Sequence, residues 1–191
     1  MTFLSRLIAL LLIINTPVAY GDWTVTAGST VGFVSIKNNA TGEVNTFDQL
    51  SGTLSDNGNI RIVIALSSVE TGINIRNERL KTMLFKVASF PAAMIDAELT
   101  DSQVAALKAG GIQTESVSVN VSLHGKTVSK TANVLVSALG GDVRVTTTEP
   151  IIITAQEFGL EPGVAALQQI AGLNAISRSI PVTVDLRLIA D

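Results

Sequence analysis

His124 is the only histidine in the chain, and there is no cysteine. A zinc site built on several His or Cys ligands is therefore excluded, and the carboxylates form no recognisable calcium-binding loop. Serines are plentiful, so a Ser-His-Asp arrangement is formally available. No Gly-x-Ser-x-Gly elbow precedes a helix, however, and His124 closes an alternating run beside Gly125, which is the setting of a turn residue. Glu70 and Glu78 invite comparison with an acid-base pair, but Glu78 lies between Arg76 and Arg79, where surface ion pairing accounts for it more simply. Arg76 and Arg79 are three apart and share a helix face. There they either hold the polar end of a ligand or pair with Glu70, Glu78 or Asp96. The expectation is a protein that binds without catalysis and carries no metal or cofactor.

The elements that position these residues are mostly strands, because the dominant period is two. Ile60, Ile62, Ile64 and Leu66 alternate with Arg61, Val63, Ala65 and Ser67; Val117 to Leu123 alternate with serines and Asn120; Val182 to Leu188 alternate with Thr183, Asp185 and Arg187. The last of these is expected to close the sheet. Further strands are predicted over 30–37, 44–54, 92–99, 128–137, 143–148 and 151–154, with turn signals at Asp56-Asn57-Gly58 and Gly140-Gly141-Asp142.

Three segments break this pattern. Ile75 to Phe85 suits a short helix or helical turn ended before Phe90-Pro91, and its Ile75, Leu80, Met83, Leu84 and Phe85 form either a lid over a cavity or a plug in the core. Ser102 to Ala109 reads as a helix capped by Asp101 or Ser102 and stopped by Gly110-Gly111. Val164 to Leu173 reads as a third, opened by Pro162-Gly163. Eight or more half-polar strands with short helices point to a closed antiparallel barrel or a sandwich. Val and Ile dominate the strands and large aromatics are few, which leans toward an internal cavity.

At the N-terminus, Arg6 precedes an apolar run from Leu7 to Ile14 and a small-residue stretch through Gly21. That order reads as a signal peptide, residues 1–21, cleaved after Gly21, because the run is too short to span a bilayer. The mature chain, 22–191, is long enough for one domain with a full core. Without Arg6, 12 basic residues stand against 16 acidic ones, a net charge of −4, and no Lys/Arg run exists. Nucleic acid is an unlikely partner on these grounds, and no later segment is long and apolar enough for a transmembrane anchor.

The order of motifs supplies a resemblance. Gly42-Glu43-Val44, Phe47 and Leu50-Ser51-Gly52 are followed by Ser67-Ser68-Val69-Glu70-Thr71, Arg76-Asn77-Glu78-Arg79-Leu80, Leu84-Phe85 and Phe90-Pro91. Leu123-His124-Gly125 and Phe158-Gly159-Leu160 follow downstream. This series resembles the YceI-like polyisoprenoid-binding family over roughly the whole mature chain. It departs at Lys37, where a first-strand histidine is common, at Asn77-Glu78-Arg79-Leu80, where Asp-x-His-Leu is usual, and before Phe158, where an arginine is often found. The resemblance implies an all-β, lipocalin-like barrel of about eight strands with short helices, acting in the bacterial periplasm as a carrier. Its ligand would be an isoprenoid quinone, a polyprenol or a fatty-acid-like lipid. Candidate pocket residues are Phe33, Phe47, Leu66, Met83, Leu84 and Phe85, with Arg76 at the polar end of the ligand. A homodimer is compatible with this reading. The alternative is an envelope stress or interaction module with a packed barrel and a surface-borne function.

Overall fold

The computed structural model describes residues 22–191, so the expected leader and its cleavage after Gly21 lie outside the described residues. The alternating runs form twelve strands: β1 Trp23–Val25, β2 Thr30–Lys37, β3 Thr41–Phe47, β4 Leu50–Leu54, β5 Asn59–Ala65, β6 Val69–Glu70, β7 Ala92–Glu98, β8 Gly111–Leu123, β9 Lys126–Leu139, β10 Asp142–Thr147, β11 Ile151–Thr154 and β12 Ser179–Ala190. All pair antiparallel. Three α-helices are α1 Asn74–Arg79, α2 Asp101–Ala109 and α3 Glu161–Ile170.

The sheet closes on itself. Its order runs β1-β4-β5-β7-β8-β9-β10-β12, and β12 returns to β1, with Trp23 opposite Ala190 and Val25 opposite Leu188. The additional strands continue the same staves: the first half of β12 pairs with β2 and β11, its second half with β1 and β10. Closure leaves the ring itself without a free edge, and the outlying ends of the sheet are the short strands β6 and β11.

Each interruption of a stave is repaired by a hydrogen bond. Between β1 and β2, the buried Ser29 hydroxyl accepts from Arg187 N–H at 2.9 Å, so β12 keeps its ladder partner. The single strand expected over 44–54 is instead β3 and β4, broken at Asp48-Gln49. The facing strand turns away there in a 3-10 turn, Leu66–Ser68. Gln49 compensates by donating its N–H to Ser68 Oγ at 3.2 Å and accepting from Ala65 N–H at 3.0 Å.

The longest hairpin joins β8 to β9 through His124 and Gly125, with φ of 52° and 77°. Positive φ at both central residues is the type I′ geometry that matches strand twist, and this is the structural role of the histidine-glycine pair. The imidazole lies against the Phe90 ring, centroids 4.4 Å apart.

The helices differ in detail from expectation. α2 is capped by Thr100 rather than Asp101 or Ser102: Thr100 Oγ1 accepts from Gln103 N–H while Gln103 Oε1 accepts from Thr100 N–H, a full capping box. α3 begins at Glu161, with Pro162 in its first turn. The 75–85 segment is α1 followed by a π-helical turn, Leu80–Leu84, in which Phe85 N–H donates to Leu80 O five residues back at 2.9 Å. Two buried clusters result. One, containing Trp23, Ile62, Leu107, Val119, Val134 and Leu188, joins α2 to one end of the barrel. The other, containing Phe47, Leu66, Leu80, Phe85, Phe158 and Val164, joins the π-helical turn and α3 to the other end. Among the described residues, no helix is long and apolar enough to cross a membrane.

Candidate functional site: an apolar cavity with one charged end

The inward faces of the strands do not meet. They enclose a cavity of about 480 Å³ that extends from Phe33 and Phe47 on β2 and β3 to Val119, Ala132 and Val134 on β8 and β9. Its existence follows from residue size: β7 contributes Ala93 and Ala97 and β9 contributes Ala132 to the wall, opposite strands lined by Val, Ile and Leu. A barrel of eight staves has room for either a filled interior or one small ligand, and small inward residues select the second.

Three phenylalanines form a continuous wall at one end. Phe33 and Phe47 stack with centroids 5.4 Å apart, and Phe85 meets Phe47 edge-on at 5.7 Å. The π-helical turn places Leu80, Leu84 and Phe85 on the cavity together. Gly163 of α3 packs against it so closely that a Cβ there would lie 2.9 Å from Met83 O and 3.0 Å from Leu84 Cα. Of the seven residues singled out from sequence, Phe33, Phe47, Leu66, Arg76, Leu84 and Phe85 border the cavity. Met83 is half-buried but not part of the cavity wall.

The charged lining residues gather where β2 passes into β3 and α1 crosses above them. Lys37 Nζ lies 2.7 Å from Glu43 Oε1, and Arg76 Nη1 bonds the other oxygen of the same carboxylate. Arg76 Nη2 also donates to Thr71 O at 2.5 Å. Thr71 is fixed in turn by the buried Asn77, whose Oδ1 accepts from Thr71 N–H at 3.0 Å and Oγ1–H at 2.6 Å. The hydrogen bond from Lys37 holds the Glu43 carboxyl below its ordinary value, aided by the charges of Arg76 and Lys37 against the opposing effect of burial. Glu43 is thus ionised at neutral pH and ties α1 to the barrel wall.

Arg76 therefore pairs with Glu43, not with Glu70, Glu78 or Asp96. Glu78 pairs with Lys81 at 3.0 Å rather than with its flanking arginines, and Asp96 pairs with Arg61 at 2.6 Å. Arg79 also lines the cavity and makes no hydrogen bond or ion pair among the described residues. His124 does not border the cavity. Among the described residues no group of three or more His, Asp or Glu side chains is placed to hold a metal.

Sequence reasoning missed Asn45, the deep wall formed by Ala132 and Val134, and the α3 face of Val164 and Leu167, while Arg79, named there with Arg76 as a holder of the ligand's polar end or an ion-pair partner, does border the cavity. Alternation carried part of the signal, since Glu43, Asn45 and Phe47 share one face of β3. It did not tell which face was inward.

Comparison with known proteins adds independent findings. The family model described as YceI-like domain matches residues 23–188. A polyisoprenoid-binding domain from Saccharophagus degradans implicated in plant cell wall breakdown is 33% identical, with a TM-score of 0.83 over 88% of this chain and 98% of that one. The Burkholderia cenocepacia protein BcnA is similar in fold at 18% identity, with a TM-score of 0.62 and coverage of 85% and 96%. A Campylobacter jejuni YceI protein shows the same fold at 10% identity, with a TM-score of 0.56 and coverage of 77% and 84%. No curated protein sequence matches the chain.

Proposed function

Because the chain belongs to the family of YceI-like domains, we propose that it is a non-enzymatic carrier that encloses an isoprenoid or similar long-chain amphiphile. The carrying observation is the apolar cavity of about 480 Å³ inside a closed barrel, charged at one end only. The apolar chain of the ligand lies along the deep wall, and its polar end stays near Lys37, Glu43, Arg76 and Arg79. Phe33, Phe47, Leu66, Leu84 and Phe85 contact the chain.

Burial supplies the affinity. A chain that buries about 400 Å² of apolar surface gains about 10 kcal/mol at ~25 cal/mol per Å², before ordering and association costs. No reacting group is needed, and the ion pair of Glu43 holds the wall in place rather than doing chemistry. The leader-like residues 1–21 and the absence of any basic run support export to the periplasm and a lipid rather than a nucleic acid as partner. The rival of a packed interaction module does not account for an interior left open by Ala93, Ala97 and Ala132.

Native mass spectrometry of the mature protein purified from its own envelope tests this reading. One co-purifying lipid per barrel, identified as an isoprenoid or fatty-acid-like chain after organic extraction, is expected. An empty protein that also fails to take up added polyprenol or quinone would overturn it and favour a surface-borne function.

A further inference from the structure

Among the residues that border the cavity, Ile170 and Ala171 at the C-terminal end of α3 are the exposed ones. A side chain that meets both the cavity and solvent stands at an opening, so the mouth lies there. Hydrogen bonds and ion pairs carry the rim onward. Asn174 N–H and Ala175 N–H donate to Asn38 Oδ1 at 2.9 and 3.4 Å, and Asn38 N–H donates to Ala175 O at 2.9 Å. Asn38 follows Lys37, which is paired with Glu43, and Glu43 is paired with Arg76 of α1. Arg79, at the end of α1, borders the cavity beside them. The end of α3, the β2–β3 turn and α1 therefore share the rim.

This rim is apolar where it meets water. Ile170 is 50% exposed. On α1, Ile75 is 59% exposed and lies four residues before Arg79, on the same helix face. The rim is also positive. The charged residues of the lining are Lys37, Arg76 and Arg79 against the single carboxylate of Glu43, and Arg79 has no ion pair among the described residues. The other charges on segments 70–81 and 168–178 are Glu70, Glu78, Lys81 and Arg178, which cancel. The chain as a whole is acidic, so the positive excess is local to the mouth.

Exposed isoleucines beside cations, set around the opening of an apolar cavity, complement a bilayer that carries anionic headgroups. Resting on the lipid-carrier reading above, we propose that the rim docks on an anionic phospholipid bilayer. Ile75 and Ile170 enter the boundary between headgroups and acyl chains, and Arg79 meets the lipid phosphates. The ligand then passes between bilayer and cavity without exposing its apolar chain to water, which is the unfavourable step of any transfer through solution.

The test uses mature protein with two kinds of vesicle, phosphatidylcholine alone and phosphatidylcholine mixed with phosphatidylglycerol. Flotation measures vesicle binding, and titration with a fluorescent prenyl analogue in the absence of vesicles measures ligand affinity. Binding to the mixed vesicles is expected to exceed binding to phosphatidylcholine and to weaken at high salt. Ile75→Asp should lower it about tenfold, the effect of withdrawing one isoleucine from an apolar environment. Arg79→Gln should lower it about fivefold, the effect of one cation at an anionic surface. Ile112→Asp, on an exposed position at the α2 end of the barrel, should leave it unchanged. Ile75 does not border the cavity, so Ile75→Asp should keep the parent affinity for the analogue, which also shows that the variant folds. Parent protein that binds the analogue but not the mixed vesicles overturns the docking and leaves the carrier reading intact. Vesicle binding that survives both Ile75→Asp and Arg79→Gln also overturns it, by placing the contact on another face. Failure of the parent to bind the analogue overturns the carrier reading and the docking with it.

Discussion

Ala132→Leu distinguishes a ligand cavity from a loosely packed core, because the two respond with opposite signs. Ala132 faces inward on β9, opposite Val117 of β8, and borders the cavity. Leucine adds three carbons to a space that already exists, so no neighbour has to move. At ~0.8 kcal/mol per buried CH₂ the gross gain is about 2.4 kcal/mol. Leucine rotamer entropy removes about 0.5–1 kcal/mol, and burial already present in the unfolded chain removes a further fraction. The net is about 1 kcal/mol, or roughly 2–4 °C in Tm for a domain of this size. The same carbons occupy volume that the lipid chain needs. Losing about 2 kcal/mol of ligand burial weakens binding roughly thirtyfold. Scanning calorimetry on lipid-stripped protein and competition with a fluorescent prenyl analogue read the two quantities. A fall in Tm of several degrees would mean the site is already full, since overpacking costs about 1–3 kcal/mol. A raised Tm with unchanged affinity would mean that the ligand does not reach this depth.

Three further outcomes follow from the geometry. The Glu43 carboxyl is depressed in the folded state, so its stabilising contribution is present above its ordinary value of 4.5 and is lost as pH falls through the lower folded value; urea unfolding at pH 7 and pH 3 should show a smaller difference for Glu43→Gln than for the parent, by about 0.5–1 kcal/mol given partial exposure of the pair. His124→Val should destabilise by about 1–2 kcal/mol, because a β-branched residue at positive φ strains the β8–β9 turn, while His124→Asn is tolerated and neither changes lipid affinity. Gly52→Ala should cost about 3 kcal/mol by chemical denaturation, because at φ +151° its Cβ would lie 2.2 Å from Arg61 O and 2.8 Å from Ile62 Cα, both backbone atoms of the paired strand.

How far the sequence carried the structure depends on the range of the interaction involved. The alternating faces of β5, β8 and β12 were legible because alternation is local to each strand, and β12 closes the barrel as its pattern suggested, but which faces line the cavity was not legible. The break at Asp48-Gln49 was not, because it exists to follow a turn at Leu66–Ser68 that is distant in the chain. The π-helical turn was read only as helical. Its extra residue is held by the packing of Gly163 against Met83 and Leu84, a contact between segments 80 residues apart in sequence. Arg76 was recognised as a charge needing a partner, yet sequence neighbours supplied the wrong candidates. Glu43 is brought to it by the β2–β3 hairpin. Asn45 carried no signal of its own in a strand of mixed polarity, and only its burial marks it.

The central claim is that lipid occupies the barrel interior, and intermolecular NOEs test it most directly. Mature protein with ¹³C-labelled methyl groups, stripped of lipid and loaded with geranylgeraniol, should show cross-peaks from the prenyl chain to the methyls of Ile62, Ala132 and Val134 on the cavity wall. Cross-peaks confined to the exposed methyls of Val44, Ile112 and Leu139, or none at all, would contradict it.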